Sequence, residues 1–428
     1  MATIARLVGG IKEQLAIYLP EAEIHDLCRQ LKHPFRQRQL PPALSVHLLC
    51  WQILASVALT GLRHVATLRV SAQAICQARQ KLPLPLLQRL VEHVGQRLAT
   101  GLARWKGHRL ILIDGTTLLT SDTPELAAAG GKITNQYGLW PGLPRVRVLA
   151  AIDYASGLIV RVIALPMRRQ EPTCLTRLFR YLQAGDVILG DRGLVNFAAL
   201  ALLQARKLHG CFRLPRKLTI RGAGRPKGHF VQKLGRQDQV VCWDKGTRPT
   251  WMSRQRFAAL PPSLRLRQIA FRICRPGFRT QWAWLLTTLL DPVAYPAQEV
   301  VELYGQRWHI EVCFRDLKRS LGMRQLAARS VAGMRKELLG CLLIYNLVRQ
   351  VMAQAAQNQQ TSPDRVSFTD ALTWLLYARP GSTLPPLQLN PPRVRPTEPR
   401  RLKSLGYRFP PLRGPRSQYQ QPPPRLIV

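Results

Sequence analysis

Arg109-Leu110-Ile111-Leu112-Ile113-Asp114 is an apolar run closed by a carboxylate, and Val187-Ile188-Leu189-Gly190-Asp191 repeats that design further along the chain. Short apolar runs bounded by Gly and turn residues predict buried strands. Val146 to Asp153 and Leu158 to Leu165 predict two more, with Ala155-Ser156-Gly157 as the hairpin turn between them. Helices are expected over about Cys174 to Leu182 and Phe197 to Lys207, and a fifth strand over Gly210 to Leu214. The order is three strands, helix, strand, helix, strand.

That order matches an α/β fold with an RNase H-like mixed sheet and flanking helices. In such a sheet the first and fourth strands lie side by side and bring their ends, here Asp114 and Asp191, together. The bland alternative for a strand-end Asp is that it starts a turn, as Asp114-Gly115 could.

Outward from this centre, residues 1–105 read as helical, with helix-like apolar spacing over Glu21 to Leu31, Leu44 to Leu59 and Leu84 to Leu98. Val70 to Leu82 carries an N-cap Ser and a basic end; it reads equally as a DNA-contacting helix of a helix-turn-helix-like unit or as one member of a plain bundle. Residues 215–290 open with the Gly-rich basic run Arg221 to Gly228. They continue with strand-like segments at Val240 to Asp244, Arg267 to Cys274 and Trp282 to Thr288, predicting an inserted β-rich subdomain. Four of the nine Trp fall there: Trp243, Trp251, Trp282 and Trp284. Helices are expected again over Ala297 to Leu321, Val331 to Gln354 and Phe368 to Tyr377. The tail 380–428 has 13 Pro, nine Arg or Lys and one acid, Glu398, and is expected to be extended and to dock on DNA or on the protein.

The 63 Lys and Arg against 23 Asp and Glu give a net charge of +40, which attracts polyanions at long range. A ribosome-associated protein and one resting on anionic membrane are the alternatives to nucleic acid as partner, and nucleic acid is favoured. Met1 to Leu19 includes Arg6, Lys12 and Glu13 and does not read as a signal peptide. Ala43 to Leu62, broken by His47 and Gln52, reads as a buried helix, so no membrane is expected. Nine Cys without a Cys-x-x-Cys pair suit reduced core residues of a cytosolic protein. His309 and Cys313 are four apart on one helix, but a zinc site needs two more ligands.

With acids this scarce, a third carboxylate stands out: Glu311 in Tyr304-Gly305-Gln306-Arg307-Trp308-His309-Ile310-Glu311, followed by Lys318. On a regular helix Tyr304, Arg307, Glu311, Arg315 and Lys318 fall within about 80° of one another. Ile310, Cys313, Phe314, Leu317 and Leu321 form an adjoining apolar face. Asp114, Asp191 and Glu311 together suit two Mg²⁺ ions about 4 Å apart, the arrangement that activates an attacking oxygen and relieves charge on the leaving one. The competing reading of the stripe is a solvated face with Glu311 paired to Arg307 and Arg315. Arg192 and Arg315 border the candidate site as phosphate grips or ordinary surface residues. Asp153 and Glu171 are rival carboxylates, better read as turn or capping residues.

The motifs Asp114-Gly115-Thr116-Thr117 and Gly190-Asp191-Arg192-Gly193, with the Tyr304, Arg307, Glu311, Lys318 spacing, resemble those of the DDE transposases of the insertion-sequence-four family. Leu289-Leu290-Asp291-Pro292 and Tyr345-Asn346-Leu347 extend the likeness, which covers about 109–350. The resemblance implies an RNase H-like catalytic domain over 106–379 with its β-rich insertion at 215–290, before the Glu helix, and a helical DNA-binding region at 1–105. It implies that Asp114, Asp191 and Glu311 bind two divalent ions, Mg²⁺ with Mn²⁺ as a substitute. Tyr304, Arg307 and Lys318 would hold phosphates, and Trp282 or Trp284 would stack on a flipped base, against core packing as the plainer reading of each. The activity implied is cleavage and strand transfer at the ends of a bacterial insertion sequence by a homodimer on double-stranded DNA, in the cytoplasm at the nucleoid, with no small-molecule substrate. A nuclease that does not join strands and a catalytically inactive DNA-binding relative are the alternatives.

Overall fold

The computed structural model describes residues 18–36, 39–65, 70–97, 104–132, 142–169, 171–214, 228–274, 281–378, 382–391 and 425–427. Most of the Gly-rich run 221–228 and of the Pro-rich tail therefore lies outside the described residues. In chain order the elements are α1 (Glu21–Gln30), α2 (Pro42–Leu54), α3 (Leu59–Val65), α4 (Ala72–Lys81), α5 (Leu84–Arg97), β1 (Leu110–Thr120), α6 (Pro124–Gly130), β2 (Arg145–Asp153), β3 (Ile159–Pro166), α7 (Pro172–Leu178) and β4 (Val187–Gly190). There follow α8 (Phe197–Ala205), β5 (His209–Arg213), β6 (His229–Gly235), β7 (Asp238–Asp244), α9 (Arg254–Ala258), β8 (Ser263–Cys274), β9 (Gln281–Thr287) and α10 (Ala297–Gly305). Last come α11 (His309–Arg315), β10 (Gln325–Leu326), α12 (Val331–Asn358), α13 (Phe368–Tyr377) and β11 (Arg425–Ile427). The chain is thus mixed α/β, and the expected order of three strands, helix, strand, helix, strand is observed over residues 110–213 with one unforeseen addition, the short helix α6 between the first two strands.

Two compact units emerge. The first comprises Met1–Leu189, Arg206–Leu208 and Trp308–Leu389. Its sheet runs β3-β2-β1-β4, so the first and fourth strands are neighbours, as the sequence predicts. Arg109 locks that pairing: its carbonyl accepts from Val187 N at 2.9 Å, and its guanidinium forks onto Asp186 at 3.0 and 2.5 Å. β1 departs from expectation in length. It pairs with β2 from Ile111↔Asp153 to Leu119↔Arg145, so Asp114 sits in mid-strand and Asp114-Gly115 is not a turn. The apolar run stops at Ile113 because residues 114–117 are only half-buried, while the backbone ladder, blind to side-chain polarity, continues.

α2, α3 and α4 close around Leu48, Leu62 and Ile75. Pro42 starts α2, where its missing N–H costs nothing, and Ser71 Oγ accepts from Ala74 N at 3.1 Å to cap α4. α12 is long and apolar enough to cross a membrane, but most of its apolar stretch is buried inside the protein as a core helix, packed against α2, α5 and α13. All nine cysteines are free thiols.

The second unit comprises Gly190–Ala205, His209–Arg307 and Asn390–Val428. Its strands run β5-β9-β8-β7-β6, and β11, from the end of the tail, pairs with β8. The insertion is β-rich as expected. Arg267, fully buried, forks onto Asp238 at 2.8 and 2.5 Å and donates to the carbonyls of Leu289, Asp291 and Tyr295, fixing the connection that leads from β9 into α10.

The helix expected over 297–321 is not continuous. α10 ends at Gly305, a weak helix former; a tight 3₁₀ turn spans Gln306–Trp308; α11 follows; and a wide π turn covers Asp316–Ser320.

Candidate active site

Asp114 is half-buried in the middle of β1, and its Oδ1 accepts from the N–H of Gly115 at 2.8 Å. α11 packs on β1, burying Ile310, Cys313 and Phe314. Leu317 and Leu321 continue this apolar face, all five residues being buried as the spacing predicts. Glu311 lies in the first turn of α11, on its exposed side. The first unit thus sets Asp114 and Glu311 on two elements packed against each other.

Asp191 immediately follows β4, and its carbonyl accepts from Leu194 N at 3.0 Å to form the turn that carries exposed Arg192. The preceding Gly190 is required sterically, since a Cβ there would meet Phe212 at 2.8 Å and Leu194 at 2.9 Å. Tyr304 belongs to the same unit as Asp191. It is buried, 6% exposed, with its ring edge-on to Phe271 at 6.4 Å. Burial pushes its phenol well above the ordinary range; the nearby Arg307 opposes this and Asp191 adds to it. The phenol therefore stays protonated as a hydrogen-bond donor.

The single polar stripe is corrected by these positions. Tyr304 and Arg307 are buried, whereas Glu311 and Arg315 are exposed and Lys318 is half-buried. The 3₁₀ and π turns break the 100° periodicity on which the stripe rested. Arg315 leans on its neighbour Asp316 at 3.4 Å. Burial, and secondarily Arg324, pushes the Lys318 ammonium below its ordinary value.

Core packing fails as the reading of Trp282, which is 55% exposed near the start of β9 with the Arg272 guanidinium 5.7 Å over its ring. Trp284 is half-buried, and its carbonyl accepts from Leu214 N at 2.8 Å. Trp308, 49% exposed, is an indole the sequence reading passed over; its signal was its place between Arg307 and Glu311.

The rivals have structural work. Asp153 Oδ1 accepts from Ser156 N at 2.9 Å and Ser156 Oγ at 2.8 Å, holding the hairpin turn as expected. Glu171 makes no capping bond. It pairs with Arg147 at 3.7 Å and fills the space where Gly115 would carry a Cβ. Successive strand residues face opposite sides, so Glu171 lies on the face away from the Asp114 side chain. His309 packs its ring on Tyr154 at 5.1 Å, and Cys313 is buried on the apolar face of α11.

Asp114, Asp191 and Glu311 offer carboxylate oxygens alone, the donor type that suits a hard divalent cation. Among the described residues no three metal-ligating side chains are gathered into a closed cluster, so the fit rests on donor chemistry.

The family described as Transposase DDE domain matches residues 105–347, a segment containing all three carboxylates. A transposase of Escherichia coli strain K12, InsG of insertion sequence element IS4, is 29% identical over 308 residues, covering 71% of this chain and 66% of its own length. Among solved structures, the piggyBac transposase synaptic complex with hairpin DNA has a TM-score of 0.38 at 10% identity, covering 85% of this chain and 78% of that one. A pre-cleavage Mos1 transpososome has a TM-score of 0.17 at 11% identity, covering 42% and 60%. Both scores are too low to define a fold. The sequence matches suffice: the chain belongs to the DDE transposases, in the insertion-sequence-four group.

Proposed function

We propose that this chain cuts and joins double-stranded DNA at the ends of a bacterial insertion sequence, with Asp114, Asp191 and Glu311 as the catalytic carboxylates. The observation that carries the reading is the seating of the Glu311 helix on the strand of Asp114, within a matched segment that also includes Asp191. The neighbouring of β1 and β4 supports an RNase H-like catalytic domain over 106–379, with 215–290 as its insertion. Residues 1–105 would bind DNA, and 380–428 form the basic tail.

The three carboxylates would hold two divalent ions, Mg²⁺ or, as a substitute, Mn²⁺. Bound metal supplies activation of the attacking oxygen and relief of charge on the leaving one. The chain's own residues bind and orient the DNA. With Tyr304 and Arg307 buried, grip on phosphate falls first to exposed Arg192 and Arg315 and to half-buried Lys318. Tyr304 would donate through its protonated phenol, and Arg307 would neutralise charge. Exposed Trp282 offers a ring for a displaced base, and half-buried Trp284 lies two residues further along the same strand. Two ends joined in one event call for a homodimer acting on element ends and target, in the bacterial cytoplasm at the nucleoid.

The test is incubation of purified protein with DNA carrying candidate element ends, in Mg²⁺ or EDTA, beside Glu311→Ala. Cleavage and joining that need both metal and Glu311 are expected. Cleavage without a joined product would replace the reading with a simple nuclease. Cleavage that survives Glu311→Ala would remove Glu311 from the chemistry.

A further inference from the structure

α4 shows a face that its role in the fold does not explain. Its inner side is buried: Ile75 lies in the small core shared with α2 and α3, and Leu82, just beyond the helix, is buried as well. The opposite side is exposed and carries Gln73, Gln77 and Gln80, then Lys81. At about 100° per residue the three glutamines fall within about 60° of one another. No acid occurs in α4, nor among the described residues lining the groove beside it, which include His33, Arg36 and Gln39 with Ala74, Gln77 and Lys81.

Two basic side chains nearby, Arg79 and Lys336, are already committed elsewhere. Arg79 donates to Gln52 Oε1 at 3.0 Å, on α2. Lys336, a buried lysine of α12, donates to the carbonyls of Arg79 at 3.2 Å and of Gln80, in the last turn of α4. A cation on the negative end of a helix is favourable, and here it fixes that end to the long core helix. α4 is thus clamped at its C-terminus and capped by Ser71 at its N-terminus, with its glutamine edge outward.

We propose that α4 is the base-reading element of this chain: Gln73, Gln77 and Gln80 enter the major groove of duplex DNA and select adenine-bearing positions, while Arg36 and Lys81 hold flanking phosphates. Glutamine offers one acceptor and one donor in the fork that pairs with adenine N6 and N7. From Gln73 to Gln80 the helix rises about 10 Å, the span of about three base-pair steps. Lys336 is a positioning residue in this scheme. The inference rests on the reading of the chain as an enzyme acting on DNA, and it adds which residues choose the sequence.

The test is selection from a pool of duplexes with a randomised core, by the full-length protein in EDTA, so that metal-dependent chemistry plays no part. Wild type should enrich a motif containing adenines within about three adjacent pairs. The variant Gln73→Ala/Gln77→Ala/Gln80→Ala should lose preference at those pairs by about 5- to 150-fold per position, while keeping its affinity for random duplex. Gln77→Arg should shift one preferred adenine to guanine, an outcome that misfolding cannot mimic. The same motif from wild type and triple variant would overturn the proposal, as would a wild type that enriches no motif. An unchanged motif with altered sedimentation would instead assign the face to a second copy of the chain. Because selection is read without metal and cleavage is read with it, either reading can fail while the other stands.

Discussion

Lys318 is the signature cation whose chemistry the fold alters most. Burial, and after it the positive charge of Arg324, disfavours the ammonium form, so its folded value lies below the ordinary one. The sign follows directly: as pH rises, Lys318 loses its charge before an unperturbed lysine would, and a phosphate held by that charge is released with it. The affinity of wild type for a duplex should therefore begin to fall at a pH below the ordinary lysine range of about 10.4. Lys318→Arg, charged throughout, should lack that early limb. Fluorescence anisotropy of a labelled duplex across alkaline pH measures both. Parallel curves for the two proteins up to the ordinary lysine range would separate Lys318 from phosphate binding.

At the scale of elements, α12 is held to the β2–β3 hairpin by polar side chains in an otherwise apolar seam. Tyr345 OH donates to Gly157 O at 3.0 Å, and Arg349 Nε donates to Ser156 O at 2.9 Å. Fully buried Asn346 accepts from Ile159 N at 2.9 Å and donates to Ile159 O at 3.0 Å, just where the β2–β3 register slips between Ala151 and Ile152. Its amide acts as a one-residue strand partner. Asn346→Leu keeps the volume but strands both backbone groups, at about 1–3 kcal/mol for each. Urea unfolding should show a loss of that order, and a variant as stable as wild type would mean the hairpin finds other partners. The reach of the sequence is visible in the same elements. Tyr345-Asn346-Leu347 was legible as part of a motif, but the partners of its amide were not, because a bulge in a distant hairpin leaves no local trace. The buried face of α11 was legible because Ile310, Cys313, Phe314, Leu317 and Leu321 keep the spacing of a packed helix. The break at Gln306–Trp308 was not, since turn width is settled by packing rather than by residue type. β6, exposed along nearly its whole length, and the seven-residue α3 gave too little apolar pattern to be found.

At the scale of the whole molecule, the charge of +40 narrowed the partner to a polyanion before any element was placed, and the scarcity of acids made Asp114, Asp191 and Glu311 conspicuous. What charge could not give is how they are set: Asp114 proved to be mid-strand because the ladder with β2 outruns the apolar run. Nor does a total charge say how many phosphates are touched, and the salt dependence of binding counts them. Each phosphate neutralised releases condensed counterions, so log K falls with log salt at about −0.9 per contact on duplex DNA. If six to ten phosphates are engaged, affinity should fall about 10³- to 10⁵-fold between about 50 and 200 mM salt. Titrations of a random duplex at four or more salt concentrations give the slope. A steep slope unchanged by removing the α4 glutamines would assign affinity to the distributed basic surface and choice of sequence to one helix. A nearly flat slope would mean that the excess of Lys and Arg is not there to neutralise DNA, because counterion release is unavoidable wherever phosphates are paired.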